Sequence, residues 1–165
     1  KGLIKPLLYF FVQEVIILNI HAKYFGDISY GKDEVVHIEN GLIGFESYTE
    51  YLPIPFEEDD DFMLSLQSLE NEELSFVLMN PFKIFPGYSP ALTKADRKSL
   101  NIASDKDISY YVISVIRDTP EDCTVNLKAP LVVNVKTQEA RQVILDQPEY
   151  AFRHHLADLT GKEEG

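Results

Sequence analysis

The chain has one cysteine, Cys123, among 165 residues. A lone thiol excludes an internal disulfide framework and any zinc site built on several thiolates. No Asn-x-Ser/Thr sequon occurs, so nothing points to a secreted glycoprotein. Positive charge is scarce: 15 Lys and Arg stand against 27 Asp and Glu, a formal net charge of −12. Phosphate backbones are held by basic surfaces, so nucleic acid is not expected as a direct partner. A basic protein is the expected partner, drawn in by electrostatic steering. Long uninterrupted apolar runs are also missing. Leu7-Leu8-Tyr9-Phe10-Phe11-Val12 and Val15-Ile16-Ile17-Leu18 follow Lys1 and Lys5, but Gln13 and Glu14 split them. Neither block reaches the ~18 residues of a spanning helix. An acid at mid-membrane costs about 2.5–3.5 kcal/mol. Ile20-His21-Ala22 places a bulky residue where a leader cleavage site wants a small one. The expectation is a cytoplasmic protein with no membrane segment, in which residues 1–17 form an apolar extension ahead of the domain.

Motifs of catalysis are absent as well. The sequence has no GxxxxGK phosphate loop, GxGxxG dinucleotide fingerprint, HExxH or GxSxG. Gly41-Leu42-Ile43-Gly44 matches the GxxG of RNA-clamping loops, but Glu39 and Glu46 flank it and no Lys or Arg occurs from Asp33 through Phe82. Gly41 and Gly44 are therefore read as turn glycines. Glu57-Glu58-Asp59-Asp60-Asp61 lacks the spaced ligands, central Gly and terminal Glu of a calcium loop. Cys123 has Glu121 and Asp122 beside it, which disfavour a thiolate nucleophile. His21, His37, His154 and His155 form no ligand pair on one face. Neither a catalytic, a metal nor a cofactor site is read, and the chain is expected not to be an enzyme.

What is present is alternation. An apolar fraction of 45% and a charged fraction of 25% fit a soluble globular protein, and the length fits one domain. Alternation, clearest over 62–69, and β-branched or aromatic runs, as over 108–116, predict strands over 15–23, 27–30, 35–38, 62–69, 75–79, 108–116, 124–127, 131–136 and 141–145. Residues 50–56 alternate too, but Pro53 and Pro55 remove ladder donors and predict an edge or irregular strand. Thr93 with Asp96 predicts a capped helix near 93–100, the one helix expected. Short strands joined by turns predict an all-β, single-domain, barrel-like fold of antiparallel strands, with residues 157–165 as a polar tail.

Two features invite a partner. From Asp33 to Glu73 there are thirteen Asp or Glu and no Lys or Arg. Such a run is a solvated face by default and a docking surface for a basic protein in its functional reading. Pro81, Phe82, Phe85, Pro86, Tyr88 and Pro90 form an aromatic-proline segment that packs a barrel end or anchors an interface.

Specific residues then become recognisable. Lys23-Tyr24-Phe25-Gly26, Asn40-Gly41-Leu42-Ile43-Gly44-Phe45-Glu46, Asn80-Pro81-Phe82, Phe85-Pro86-Gly87-Tyr88 and the block Thr124-Val125-Asn126-Leu127-Lys128-Ala129-Pro130-Leu131-Val132-Val133-Asn134 occur in that order. Arg141-Gln142-Val143-Ile144-Leu145, Tyr150 and Arg153-His154 follow them. Over residues 18–156 the chain resembles the flagellar assembly factor FliW family. The resemblance implies a non-enzymatic β-barrel that binds flagellin, and, when free of flagellin, captures the basic RNA-binding regulator CsrA. Translation of the flagellin message is thereby released without contact with RNA. It implies CsrA and flagellin as partners. On that reading Glu57, Glu58, Asp59, Asp60 and Asp61 with Asp33 and Glu34 steer CsrA, and the exposed members of Phe45, Phe82 and Tyr88 anchor flagellin. Gly41, Gly44, Asn126, Pro130 and Asn134 are expected to serve the architecture, the asparagines by satisfying buried backbone groups where strands bend. A flagellin chaperone without CsrA regulation and a small hydrolase stand as alternatives.

Overall fold

Alternating apolar residues produce eleven strands and three short helices among residues 16–161, the part the computed structural model describes. Most of the expected apolar extension, residues 1–15, lies outside the described residues, as do residues 162–165. In chain order the elements are β1 (Ile17–Ala22), β2 (Gly26–Gly31), β3 (Val36–Ile38), β4 (Glu50–Pro55), β5 (Met63–Ser68) and β6 (Ser75–Met79). There follow α1 (Pro81–Ile84), α2 (Lys94–Ser99), β7 (Ile108–Val115), β8 (Thr124–Val125), β9 (Leu131–Asn134), β10 (Glu139–Gln142), β11 (His154–His155) and α3 (Leu156–Thr160). No helix among the described residues is long and apolar enough to cross a membrane.

Hydrogen-bonded neighbours run β7-β6-β5-β4-β3-β10-β9, and β9 pairs back onto β7 from Ile108↔Asn134 to Tyr111↔Leu131. That pairing closes a seven-stranded barrel and removes its edges. Seven is odd, so strand direction cannot alternate all the way round. One neighbouring pair must be parallel, and it is β3 with β10 (Glu139↔His37, Ala140↔Ile38). The barrel-like fold of antiparallel strands expected from the sequence is the one found, with a parallel pair among the described strands at that seam. β8 and β11 extend the sheet beyond β7, and β1 pairs with β2 as a separate hairpin.

Pro53 and Pro55 lie in the barrel wall, yet the edge logic holds locally. Phe56 N donates to the Met63 carbonyl, so even-numbered residues of β4 face β5; the Thr49 carbonyl accepts from Ile38 N, so odd-numbered ones face β3. β3 reaches only to the Val36↔Tyr51 pair. The missing proline donors therefore point to a side with no partner strand.

Two apolar clusters hold the molecule. Inside the barrel, Ile38, Tyr51, Leu66, Leu78, Leu131 and Ala140 are buried together, joined by Leu42 from the loop after β3. Outside it, Val112 and Val132 are covered by Ile84, Tyr88 and Leu100 from the β6–β7 connection and by Leu127, Leu145 and Tyr150. All four residues of β9 are consequently buried, which is why its sequence reads as an unbroken apolar run. Each fully buried aliphatic side chain contributes about 1.5–3 kcal/mol.

The capped helix is α2: Asp96 N donates to Thr93 Oγ1 (3.1 Å) and Thr93 N donates to Asp96 Oδ2 (2.9 Å). Two further helices depart from the one-helix expectation. α1 starts at Pro81, with Asn80 Oδ1 accepting from Phe82 N (3.1 Å). α3 occupies the start of the expected polar tail, because Leu156 and Leu159 pack onto the outer cluster. The strand expected over 141–145 is shifted to β10, where Val143 already turns into that cluster.

Candidate partner-binding surfaces

Strand direction gives the barrel two distinct ends. β4 and β6 finish, and β3, β5, β7 and β10 start, at one end, here the Pro55 end; the loop carrying Gly41 lies at the other. The thirteen-acid run is therefore not one surface. Seven of its carboxylates (Asp33, Glu34, Glu57, Glu58, Asp59, Asp60, Asp61) sit at the Pro55 end and six at the Gly41 end.

At the Pro55 end Asp33 and Glu34 occupy a 3-10 turn before β3. Glu34 Oε2 accepts from Gly31 N (2.6 Å), and the Asp33 carbonyl accepts from Gln138 Nε2 (3.1 Å). The loop over residues 57–61 turns through Asp59 at φ +61°. Lys83 Nζ lies 3.0 Å from Asp60 Oδ1 and 2.6 Å from Asp61 Oδ1, and Asn80 Nδ2 donates to Asp61 Oδ2 (3.0 Å). The Lys83 hydrogen bonds hold both carboxyls below their ordinary pKa, and these carboxylates raise that of Lys83 in turn. Glu57, Glu58 and Asp59 are exposed and have no side-chain partner among the described residues. The five-acid run thus divides into a pair that shares one lysine, and keeps one net negative charge, and a free triplet.

The three aromatic candidates part company. Phe82 is 42% exposed on α1, one residue from Lys83, with its ring 5.8 Å from those of Tyr88 and Tyr110. Phe45 is 38% exposed at the Gly41 end, edge-on to Phe76 at 4.9 Å. Tyr88 is not an anchor candidate: it is 3% exposed, donates its hydroxyl to the Leu127 carbonyl (2.9 Å) and stacks near Tyr150. Burial pushes its phenol pKa far up. The large outer cluster needs a ring there, and the hydroxyl supplies the hydrogen bond that Leu127 would lack.

The motif residues do structural work. Gly41 has φ +66°, and a Cβ would fall 2.7 Å from the Phe45 carbonyl oxygen. Gly44, at φ +85°, has open space around it and donates its N–H to Glu46 Oε1 (2.8 Å). Asn126 Oδ1 accepts from Ala129 N (2.9 Å). Asn134, 2% exposed, donates to the Leu100 carbonyl (2.9 Å) and accepts from Lys136 N (3.0 Å). Pro130 is buried, and its carbonyl accepts from Val143 N (3.0 Å).

Cys123 is buried, and its sulfur accepts from Arg117 N (3.3 Å) and faces the Arg117 and Thr119 carbonyls. No histidine touches it in that arrangement, and no cluster of three metal-ligating side chains occurs among the described residues. An open polar groove of about 670 Å³ runs along Val115, Arg117, Thr119, Asp122, Arg153 and His155. Its walls come from segments far apart in sequence, so no local pattern announced it.

A model of the family described as FliW protein matches residues 19–156. The flagellar assembly factor FliW of Bacillus velezensis is 36% identical over 135 residues, covering 82% of this chain and 94% of its own. That of Geobacillus thermodenitrificans is 37% identical over 139 residues, covering 84% and 95%. A crystal structure of the flagellar assembly factor FliW superposes with a TM-score of 0.78 at 34% identity, covering 84% of this chain and 96% of that one. With a family model matching most of its length and relatives this similar spanning nearly their whole chains, the chain belongs to the FliW family of flagellar assembly factors.

Proposed function

We propose that the protein binds flagellin and, when free of it, the basic regulator CsrA, acting in the cytoplasm by protein–protein contact and without catalysis. The observation that carries the CsrA half is the free triplet Glu57, Glu58 and Asp59. It lies at the Pro55 end, as Asp33 and Glu34 do, on a molecule of net charge −12. Exposed carboxylates without a counter-charge raise the local concentration of a cationic partner and its association rate. The flagellin half is assigned to apolar anchors, and the two exposed ones, Phe45 and Phe82, stand at different ends.

Calorimetric titration with purified CsrA, with and without saturating flagellin, tests the scheme. CsrA binding alone that weakens when flagellin is present supports it. Flagellin binding without any CsrA binding replaces it with a dedicated flagellin chaperone, and binding of neither removes both readings.

A further inference from the structure

The two ends of the barrel are closed differently. At the Gly41 end the loop folds Leu42, 0% exposed, into the interior cluster. At the Pro55 end the interior cluster takes no residue from the loops over 33–35, 56–62 or 135–138. Among the described residues, what remains there is an apolar pocket of about 150 Å³, walled by Val36, Leu64, Leu66, Tyr111, Val133 and Gln138. Val135 stands at its lip, 46% exposed. A well-packed interior leaves few voids larger than a water molecule. A cavity of about 150 Å³ is large enough to accept a benzene-sized group. The pocket therefore has the size for one aromatic or branched aliphatic side chain.

The rim says what should flank that side chain. Gln138, on the wall, donates to the Asp33 carbonyl, which ties the turn holding Asp33 and Glu34 to the mouth. Tyr111, on the wall, has its phenol pKa raised by burial first and by the Asp61 carboxylate second, with Lys83 opposing. Of the lysines at this end, Lys83 is engaged by Asp60 and Asp61 and Lys136 by Asp107 at 3.4 Å, while Lys32, in the turn with Asp33 and Glu34, is exposed and outnumbered by the carboxylates around it. Asp33, Glu57, Glu58 and Asp59 have no ion-pair partner among the described residues. The mouth is a greasy hole in a negatively charged collar.

We infer that the open barrel end is a peptide-binding pocket, taking a segment of a partner protein that inserts one aromatic or branched aliphatic side chain with Lys or Arg beside it. This pocket stands on its own geometry and does not require that CsrA or flagellin be the partner.

The test titrates the full 165-residue chain, methyl-labelled, with the tripeptide acetyl-Lys-Phe-Lys-amide. The expected result is saturable NMR shifts centred on the methyls of Leu64, Leu66 and Val133. Acetyl-Lys-Ala-Lys-amide and acetyl-Glu-Phe-Glu-amide should each bind at least tenfold more weakly. Ser109 also lines the pocket, and Ser109→Leu adds an apolar side chain without removing any core group. It should abolish the shifts while leaving the melting temperature unchanged or raised. Absence of saturable shifts, shifts centred elsewhere, equal binding of the Glu-flanked peptide, or undiminished binding by a folded Ser109→Leu variant would each overturn the proposal. Should that variant not fold, uptake of benzene by the unsubstituted protein decides: shifts at the same three residues support the pocket, and none overturns it.

Discussion

At the scale of single residues, two kinds of polar group matter. Asn134 is a buried linker whose amide donates to the Leu100 carbonyl and whose oxygen accepts from Lys136 N. Asn134→Ala leaves both backbone groups without their partner, at a cost of about 1–3 kcal/mol for each group that water cannot reach. Asn134→Asp replaces the donor with a buried carboxylate facing the Leu100 carbonyl, so at neutral pH urea unfolding should rank the native protein above both variants, with Asp no more stable than Ala. The histidines respond to pH in opposite senses. His37 Nδ1 lies 2.5 Å from Glu50 Oε1, and that hydrogen bond, with Glu50, Glu139 and Glu39 as nearby charges, raises its pKa above 6.5. A raised folded-state pKa means the protonated form is favoured by folding. Its contribution is complete below about 6.5 and is lost as pH rises through the folded value. His154 behaves oppositely, since burial lowers its pKa and its Nε2 accepts from Ala151 N (2.8 Å). The neutral form is favoured there, so its contribution is present above about 6.5 and lost as pH falls through the lowered folded value. NMR titration should place the His37 midpoint above 6.5 and the His154 midpoint below it; the reverse order would refute both contacts.

Among the elements, the loop between β3 and β4 decides whether the barrel is sealed at that end. Gly41 supplies a left-handed residue with backbone packed against its α-carbon, and Leu42 supplies the plug. Leu42→Ala removes a fully buried side chain from a closed barrel that cannot collapse easily, so a loss of about 2–5 kcal/mol is expected in denaturant unfolding. Gly41→Ala should also destabilise the protein, because the added Cβ meets backbone rather than a movable side chain. Gly44→Ala meets nothing and should lose only the strain of its positive φ, so the smaller effect at Gly44 checks the argument. Much of this was legible in the sequence: Asn40-Gly41 announced the turn, Thr93 with Asp96 announced α2, period-two alternation announced β5, and a β-branched, aromatic run announced β7. The missed elements have physical reasons. α1 is a single turn too short for periodicity to register, and α3 is helical because the outer cluster accepts Leu156 and Leu159.

On the scale of the whole molecule, the sequence showed how much charge the chain carries but not where the fold puts it. Thirteen carboxylates that are continuous in sequence are divided between two barrel ends, because a strand crosses the barrel between one turn and the next. The barrel mouth was equally hidden, since its wall draws on strands from β3 to β9 and the pairing of β9 with β7 brings them round. That division sharpens the test of charge steering. Asp60 and Asp61 are already paired with Lys83, so reversing them places new cations against Lys83 and confounds repulsion with lost structure. Glu57, Glu58 and Asp59 are free, and reversing those three to Lys changes the net charge from −12 to −6 without breaking any side-chain contact of the described residues. Steering acts on encounter, so association with CsrA should slow about tenfold at low ionic strength, with dissociation little changed. The difference should shrink as salt shortens the Debye length from about 30 Å at 0.01 M to about 8 Å at 0.15 M. Stopped-flow association over that salt range reads both effects. A uniform loss at every salt concentration, carried by faster dissociation, would mean that the triplet makes direct contacts; an unchanged rate would remove the Pro55 end from CsrA recognition.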